Sequence, residues 1–325
     1  MPSVLITARY FAVDPAPLEL LQEQGCTIAH QDLDWTLGDG NVSEERAIEL
    51  LHGIDAAIIS SLPMTDRVLA NALALKIIAI RGAGFDSVDV EAATRHGIPV
   101  VVAPGFTDSV ADYVFGLMLA VARQVARADR LVRAGGWDVL VSTTICRKTL
   151  GIIGLGRIGK AVARRAQGFE MPVLATDVVQ DEAFARQYGV TYVPFEELVQ
   201  RADIVSINAP LQRDTHRLID TKALRLMRPT AFLINTARGD LVDEAALAAA
   251  LREGRLAGAG LDVFHHEPLR HNPFQGLDNV VLSPHLAAYS LEGLRDTGLL
   301  AARAVLAVLE GGRPDPSGLV NPDVF

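Results

Sequence analysis

A chain of 325 residues, half of them apolar, exceeds what one hydrophobic core organises comfortably, so two domains are expected. A formal net charge of -9 with no dense run of Lys or Arg argues against nucleic acid or an anionic membrane as a partner. The only cysteines, Cys26 and Cys146, lie far apart, which suits a reducing cytoplasm better than a disulfide framework, and no segment reaches the roughly 20 apolar residues of a membrane span.

The chain enters a strand-like run, Val4 to Ile6, with no basic and apolar leader before it, as expected of a cytoplasmic protein. A helix-like stretch from Leu18 to Gln24 is stopped by Gly25. Ala56 to Ile59 and Ile77 to Ile80 are unbroken apolar runs of the kind buried on both faces of a parallel sheet, and Asp66 to Leu75 between them reads as helix. After RGAGFDSVDVEAATRHG, in which Gly97 stops a helix, Ile98 to Val102 gives another strand. Residues 1–102 read as a small doubly wound domain. Pro104-Gly105 breaks the pattern and marks a domain crossing, after which Thr107, Asp108 or Ser109 caps a helix to about Ala128. That helix is apolar on one face at Val110, Val114, Leu117, Met118 and Val121, and on others at Phe115, Leu119 and Ala122. Such a helix is buried all round, against its own domain and against a second copy of the chain across a two-fold axis.

Leu150 to Asp177, LGIIGLGRIGKAVARRAQGFEMPVLATD, reads as strand, glycine turn, helix, strand and terminal carboxylate, the signature of a dinucleotide-binding unit. Gly154 permits the tight turn, Gly156 lets a pyrophosphate approach the backbone, and Gly159 lets helix and strand press together. Arg157 and Ile158 stand at the helix N-terminus, where unpaired N–H groups attract phosphate. Asp177 is placed to accept hydrogen bonds from both adenosine ribose hydroxyls and to repel a 2′-phosphate, and Val178 and Val179 after it supply no cation, so NAD is expected over NADP. Further strands are expected at Val190 to Val193, Ile204 to Asn208, Ala231 to Asn235, Gly258 to Leu261 and Val280 to Ser283. Asp243 caps a helix that Gly254 ends, and a last helix runs from about Leu291 to Leu309, returning to the first domain. The tail is irregular, with Val320-Asn321-Pro322 able to dock there.

Three segments at strand ends carry chemistry: INTARGDLVDE, GLDVFHHEPL and VLSPHLAAY. Arg238 offers a forked cation for a carboxylate, Glu267 an acid before Pro268, and His285 an imidazole after Pro284. His265, His266, Glu267 and His271 look like a metal cluster, but adjacent histidines on an extended segment should point to opposite sides, and no metal is expected. Trp137 and Tyr289 suit core or interface packing, and Ser60 and Ser61 a turn, more readily than a substrate cleft.

These motifs, in this order along nearly the whole chain, resemble the D-isomer-specific 2-hydroxyacid dehydrogenase family: N-x-x-R-G, D-V-F-x-x-E-P and P-H are matched by Asn235, Arg238, Asp262, Glu267, Pro268 and His285. The resemblance implies Arg238, Glu267 and His285 as the catalytic set. It implies Gly154, Gly156, Arg157, Ile158, Gly159, Asp177, Asn208, Ala209, Pro210, Thr215, Thr236, Ala237, Asp262, His285 and Ala287 as NAD contacts. It also implies Ala83 and Gly84, whose amides would bind the substrate carboxylate, with Leu62 and Arg238 as further substrate contacts. The implied fold is α/β, with two doubly wound parallel-sheet domains. A Rossmann NAD-binding domain, residues 103–289, is inserted into a flavodoxin-like substrate-binding domain, residues 1–102 and 290–325. Ala103 and Asp112 depart from the Asn and Glu common in the family, without touching the catalytic set.

The implied activity is hydride transfer between NAD(H) and a small 2-hydroxy acid/2-keto acid pair, in a homodimer. A phosphoglycerate dehydrogenase is the alternative, weakened by the absence of a cation from Ser60 to Asp66. An NAD-sensing corepressor is the alternative of another class, disfavoured by the intact Arg/Glu/His set and by the absence of long disordered tails.

Overall fold

A computed structural model of the chain describes residues 1–8, 10–30 and 42–325. In chain order its first elements are β1 (Ser3–Ile6), α1 (Ala16–Glu23), β2 (Thr27–His30), α2 (Glu44–Leu51), β3 (Ala56–Ile59), α3 (Asp66–Asn71), β4 (Ile77–Ile80), α4 (Val90–Arg95) and β5 (Val100–Val102). Then come α5 (Thr107–Ala122), α6 (Val125–Arg133), β6 (Leu150–Ile153), α7 (Arg157–Ala166), β7 (Val173–Thr176), α8 (Glu182–Tyr188), β8 (Val190–Tyr192), α9 (Phe195–Arg201) and β9 (Ile204–Ile207). The chain closes with α10 (Thr221–Leu226), β10 (Phe232–Asn235), α11 (Glu244–Arg252), β11 (Gly258–Leu261), β12 (Val280–Leu282) and α12 (Leu291–Leu309). They form two compact units, Met1–Phe106 with Ala288–Phe325, and Thr107–Ala287.

The first unit is a five-stranded sheet in the order β2-β1-β3-β4-β5, with every neighbouring pair parallel. β3 and β4 are buried along their whole length, which explains why AAII and IIAI carry no polar alternation. One face is covered by α2, α3 and α4 through Leu51, Leu69 and Ala93. The other is covered by α1 and by α12, which brings Ala301, Ala302 and Val305 back from the far end of the chain. The tail docks here too. Val320 donates to Val100 O at 2.9 Å, and the buried Asn321 accepts from Val100 N at 2.7 Å while donating to Ile98 O at 3.0 Å.

The second unit is a seven-stranded parallel sheet, β12-β11-β10-β9-β6-β7-β8. Strand order reverses between β6 and β9, and ligands of such sheets bind beyond the strand C-termini at that point. Helix α5 lies directly on β11 because that strand, GAGL, is nearly side-chain-free: a Cβ on Gly260 would stand 2.9 Å from Leu117, and one on Gly258 would stand 2.8 Å from Val121.

Two sequence expectations change here. The helix expected to run unbroken from Asp108 to Ala128 bends by 62° between α5 and α6, where Gln124 adopts φ 54°. Leu117 and Met118, on the apolar face read along this helix, are buried in their own unit, at 4 and 0 % exposure. The all-round apolar character of α5 is thus largely used within the unit, against β10, β11 and α7.

Asn321 replaces a missing neighbour for the edge of β5, so Asn321→Ala leaves the Val100 amide and the Ile98 carbonyl unpaired. The expected loss is about 1–3 kcal/mol of unfolding free energy. Urea unfolding measures it, and an unchanged midpoint would show that the tail is dispensable.

Candidate active site

Three neighbouring strands of the second unit end on the three candidate residues: β10 leads to Arg238, β11 to Glu267 and β12 to His285. Parallel pairing puts all three loops at one sheet edge. The loops are locked together locally. Gly239 presses on the next loop so closely that a Cβ there would overlap the backbone of Phe264 and His265, at 1.9 and 2.3 Å. Asn235 accepts from Ala237 N at 3.0 Å and donates to Arg238 O at 2.8 Å, which fixes the backbone on either side of the guanidinium stem. That guanidinium donates to Ala237 O at 2.7 Å.

Asp262 holds the loop of His285. It is fully buried, and its carboxylate accepts from Ser283 Oγ at 2.6 Å and from the amides of Leu286 and Ala287 at 2.8 Å each. Its backbone carbonyl takes the His285 amide at 2.8 Å. Under these bonds His285 adopts φ 54°, a left-handed conformation costly for a residue with a Cβ and sustained only where the surroundings over-determine it.

His285 Nδ1 lies 2.7 Å from Glu267 Oε2, and the other carboxylate oxygen accepts the Phe264 amide at 2.9 Å. An ionised carboxylate only accepts, so Nδ1 carries a proton and Nε2 is left for chemistry. Burial works against both charged forms. For His285 the hydrogen bond and charge of Glu267 outweigh burial, with Arg238 opposing and Asp262 assisting, and its pKa rises above the ordinary histidine value. For Glu267 the hydrogen bond and charge of His285, the Phe264 amide and Arg238 together overcome burial, and its pKa falls. The raised imidazole contributes stability that is lost as pH rises through its folded pKa. The depressed carboxyl contributes stability that is lost as pH falls through its own. The pair therefore stabilises the fold between those two pKa values.

The dinucleotide unit fits NAD on its own geometry. Gly154 has φ 88°, and a Cβ there would stand 2.7 Å from Ala209 N, while a Cβ on Gly159 would overlap the Gly154 carbonyl. At Gly156, where α7 starts without a side-chain cap, a Cβ would meet nothing within 4 Å, which leaves room for a pyrophosphate at that point of the backbone. Asn208 Oδ1, just after β9, is buried with no hydrogen-bond partner among the described residues. Asp177 ends β7, but its carboxylate is not idle: Oδ2 accepts Leu155 N at 2.6 Å and Oδ1 accepts Val179 N at 3.0 Å, so it ties the glycine turn to the second strand. Each oxygen keeps a lone pair for a ribose hydroxyl. Thr215 donates to Pro210 O at 2.8 Å, closing the Asn208-Ala209-Pro210 turn. Thr236 follows β10, and Ala287 is buried beside Asp262.

In the first unit Ala83 and Gly84 follow β4. Leu62, expected to touch substrate, has no exposed surface and belongs to the core beneath α3, as does Met64. Thr7 Oγ1, Ser60 Oγ and Arg81 Nε, at the ends of the neighbouring strands β1, β3 and β4, are buried with no hydrogen-bond partner among the described residues, and the Arg81 guanidinium lies 5.3 Å from the Tyr289 ring centroid. Sequence reading weighed only Ser60 of these three, assigned it to a turn, and passed over Thr7 and Arg81. The one signal of this polar edge was a cation two residues before Ala83.

The expectation that His265 and His266 point apart is wrong, because the segment turns rather than extends: their ring centroids are 4.1 Å apart, and His265 bonds Asp240 through Nδ1. Trp137 is 92 % exposed, and Tyr289 packs edge-on against Tyr10.

Residues 115–287 match the family profile described as D-isomer specific 2-hydroxyacid dehydrogenase, NAD binding domain. The chain belongs to the D-isomer specific 2-hydroxyacid dehydrogenase family. It is 41 % identical over 304 residues to a glyoxylate reductase of Korarchaeum cryptofilum, covering 91 % of each chain. Among solved structures it resembles a glyoxylate reductase from Paecilomyes thermophila, with TM-score 0.86 and 28 % identity, covering 100 % of this chain and 99 % of that one. It also resembles D-lactate dehydrogenase from Aquifex aeolicus complexed with NAD and lactic acid, with TM-score 0.83 and 27 % identity over 98 % of both chains. Family membership makes this an NAD-dependent oxidoreductase acting on the CH–OH group of 2-hydroxy acids.

Glu267→Gln keeps the shape of the Nδ1 partner and removes its charge. The His285 pKa should fall, each unit corresponding to about 1.4 kcal/mol of lost preference for the imidazolium. An NMR titration of the imidazole reads this directly. An unmoved midpoint would mean that Glu267 orients the ring without tuning it.

Proposed function

We propose that this protein reduces small, non-phosphorylated 2-keto acids with NADH, with Arg238, Glu267 and His285 as the catalytic set. The observation that carries this reading is the 2.7 Å bond between His285 and Glu267 on neighbouring strand ends, one loop from Arg238. NADH, held at the glycine turn and by Asp177, would supply a hydride to the carbonyl carbon. Negative charge then grows on the carbonyl oxygen, and protonated His285 gives its Nε2 proton to it. Glu267 holds the ring by Nδ1 and favours the charged form, so reduction persists to higher pH than an ordinary histidine allows and falls as pH rises through the raised pKa. Oxidation needs neutral His285 and strengthens across the same rise. Arg238 orients the substrate carboxylate.

The substrate reading is supported by the segment from Ser60 to Asp66, which holds no cation. Its Leu62 and Met64 are core residues, Thr65 bonds Glu44 at 2.5 Å, and Asp66 pairs with Arg95 at 3.0 Å. Arg67, just beyond, is engaged by Glu44 and Glu45. The relatives named glyoxylate reductase and D-lactate dehydrogenase act, by those names, on small unphosphorylated acids. A panel of 2-keto acids assayed with NADH should rank glyoxylate, pyruvate or hydroxypyruvate first, at least about tenfold in kcat/KM above phosphohydroxypyruvate. Phosphohydroxypyruvate at the head of the panel would reverse the substrate assignment, and failure to oxidise NADH with any keto acid would favour the sensor.

A cytoplasmic homodimer completes the reading. Six large apolar side chains between positions 119 and 141 are exposed, namely Leu119, Val125, Val132, Trp137, Val139 and Val141. This segment is tied back on itself by Thr143 N to Ala122 O at 3.2 Å and by Gln124 Nε2 to Val141 O at 2.7 Å. An apolar surface of that extent is covered by a partner, and a second copy related by a two-fold axis is the simplest one. Light scattering at micromolar concentration should give the mass of a dimer, and Trp137→Glu with Val139→Glu should give a monomer. A wild-type monomer would refute it.

A further inference from the structure

The gap between the start of α7 and the loop after β7 is crossed twice. Leu155 N bonds Asp177 Oδ2 at 2.6 Å, and one turn further along α7 Lys160 Nζ lies 2.5 Å from Asp181 Oδ2. The second bridge was not legible as a feature of the dinucleotide site, yet it spans the same two elements four residues beyond the ribose-binding carboxylate. It is held firmly at both ends. Asp181 caps α8 by accepting Phe184 N at 3.0 Å, and its own amide donates to Tyr192 Oη at 2.9 Å. The Lys160 ammonium lies 5.4 Å from the Phe184 ring centroid. The hydrogen bond from Lys160 holds the Asp181 carboxyl below the usual carboxylate range, assisted by the Phe184 amide. Both side chains are only partly exposed, at 30 and 40 %, so the pair is screened less than a surface pair.

Lys160 is therefore a cation on the helix that opens at the glycine turn, and its charge is already engaged by Asp181. We propose that Asp181 sequesters Lys160 as the second half of the device that selects NAD over NADP: Asp177 repels a 2′-phosphate, and Asp181 withholds the cation that would otherwise attract one. This rests on the reading of Asp177 as the ribose-binding carboxylate. The physical ground is that a phosphate dianion needs a nearby ammonium or guanidinium with uncommitted charge. Removing Asp177 alone relaxes repulsion but leaves Lys160 held on Asp181. Removing both carboxylates releases a lysine, long and flexible enough to turn toward the ribose.

The test is calorimetric binding of NADH and NADPH, without substrate, to the wild type and a short series of variants. Asp181→Ser keeps a side-chain cap for α8 while deleting the charge. In wild type the NADPH Kd should far exceed that for NADH, and Asp177→Ala should narrow the difference. Adding Asp181→Ser to Asp177→Ala should tighten NADPH a further tenfold, about 1.4 kcal/mol. That gain should shrink as salt rises and vanish when Lys160→Met is added. Lys160→Met on Asp177→Ala alone, which leaves the cap intact, should leave NADPH binding within about twofold. A double variant no better than Asp177→Ala, or a gain that survives Lys160→Met, overturns the role of Asp181 while leaving that of Asp177 standing. A wild type that binds NADPH as tightly as NADH overturns both.

Discussion

Everything at the strand-end site depends on one buried carboxylate. Asp262 has no exposed surface, and its carboxylate is met by a hydroxyl and two amides, all within one loop. A carboxylate surrounded by oriented N–H and O–H dipoles resists reorganisation, because turning any donor away leaves charge unsatisfied in a low-dielectric interior. That is what lets His285 occupy a left-handed backbone conformation and keep its ring against Glu267. The pair is thus a small electrostatic unit whose protonation preference is set by folding, before any substrate arrives.

The division of labour along the sheet follows from strand order. β6 and β7 supply the glycine turn and Asp177, and β10, β11 and β12 supply the cation, acid and imidazole, on either side of the reversal between β6 and β9. Asn208, after β9, lies between the two groups and touches the glycine turn where Gly154 would clash with any side chain.

Much of this was readable in the residues themselves. The glycine spacing and the acid at its end report a backbone that must come close to a ligand, and the unbroken apolar runs of β3, β4 and β10 report burial on both faces. What escaped notice lacks such marks. β2 is a half-exposed edge strand, TIAH, with no apolar run, and α2 spans eight residues. The break at Gln124 is invisible because VARQVARADR keeps helical composition throughout, and the turn is imposed by the neighbouring chain. Bonds to Asp262 come from positions 21 to 25 residues away, and Lys160 meets Asp181 across 21, separations at which pattern carries no information.

The first unit is discontinuous: its sheet is formed by residues that precede the second unit, but one face of that sheet is closed by α12, which follows it, and β5 is edged by Asn321. The second unit is continuous from Thr107 to Ala287. Vectorial synthesis then inverts the usual order in which N-terminal domains fold first. The cofactor-binding unit is complete in sequence while the opening residues still wait for their last helix, an uncovered apolar face exposed to chaperones for the time it takes to translate the intervening chain. Nascent chains arrested just beyond Ala287 would show this as protease protection of the second unit alone.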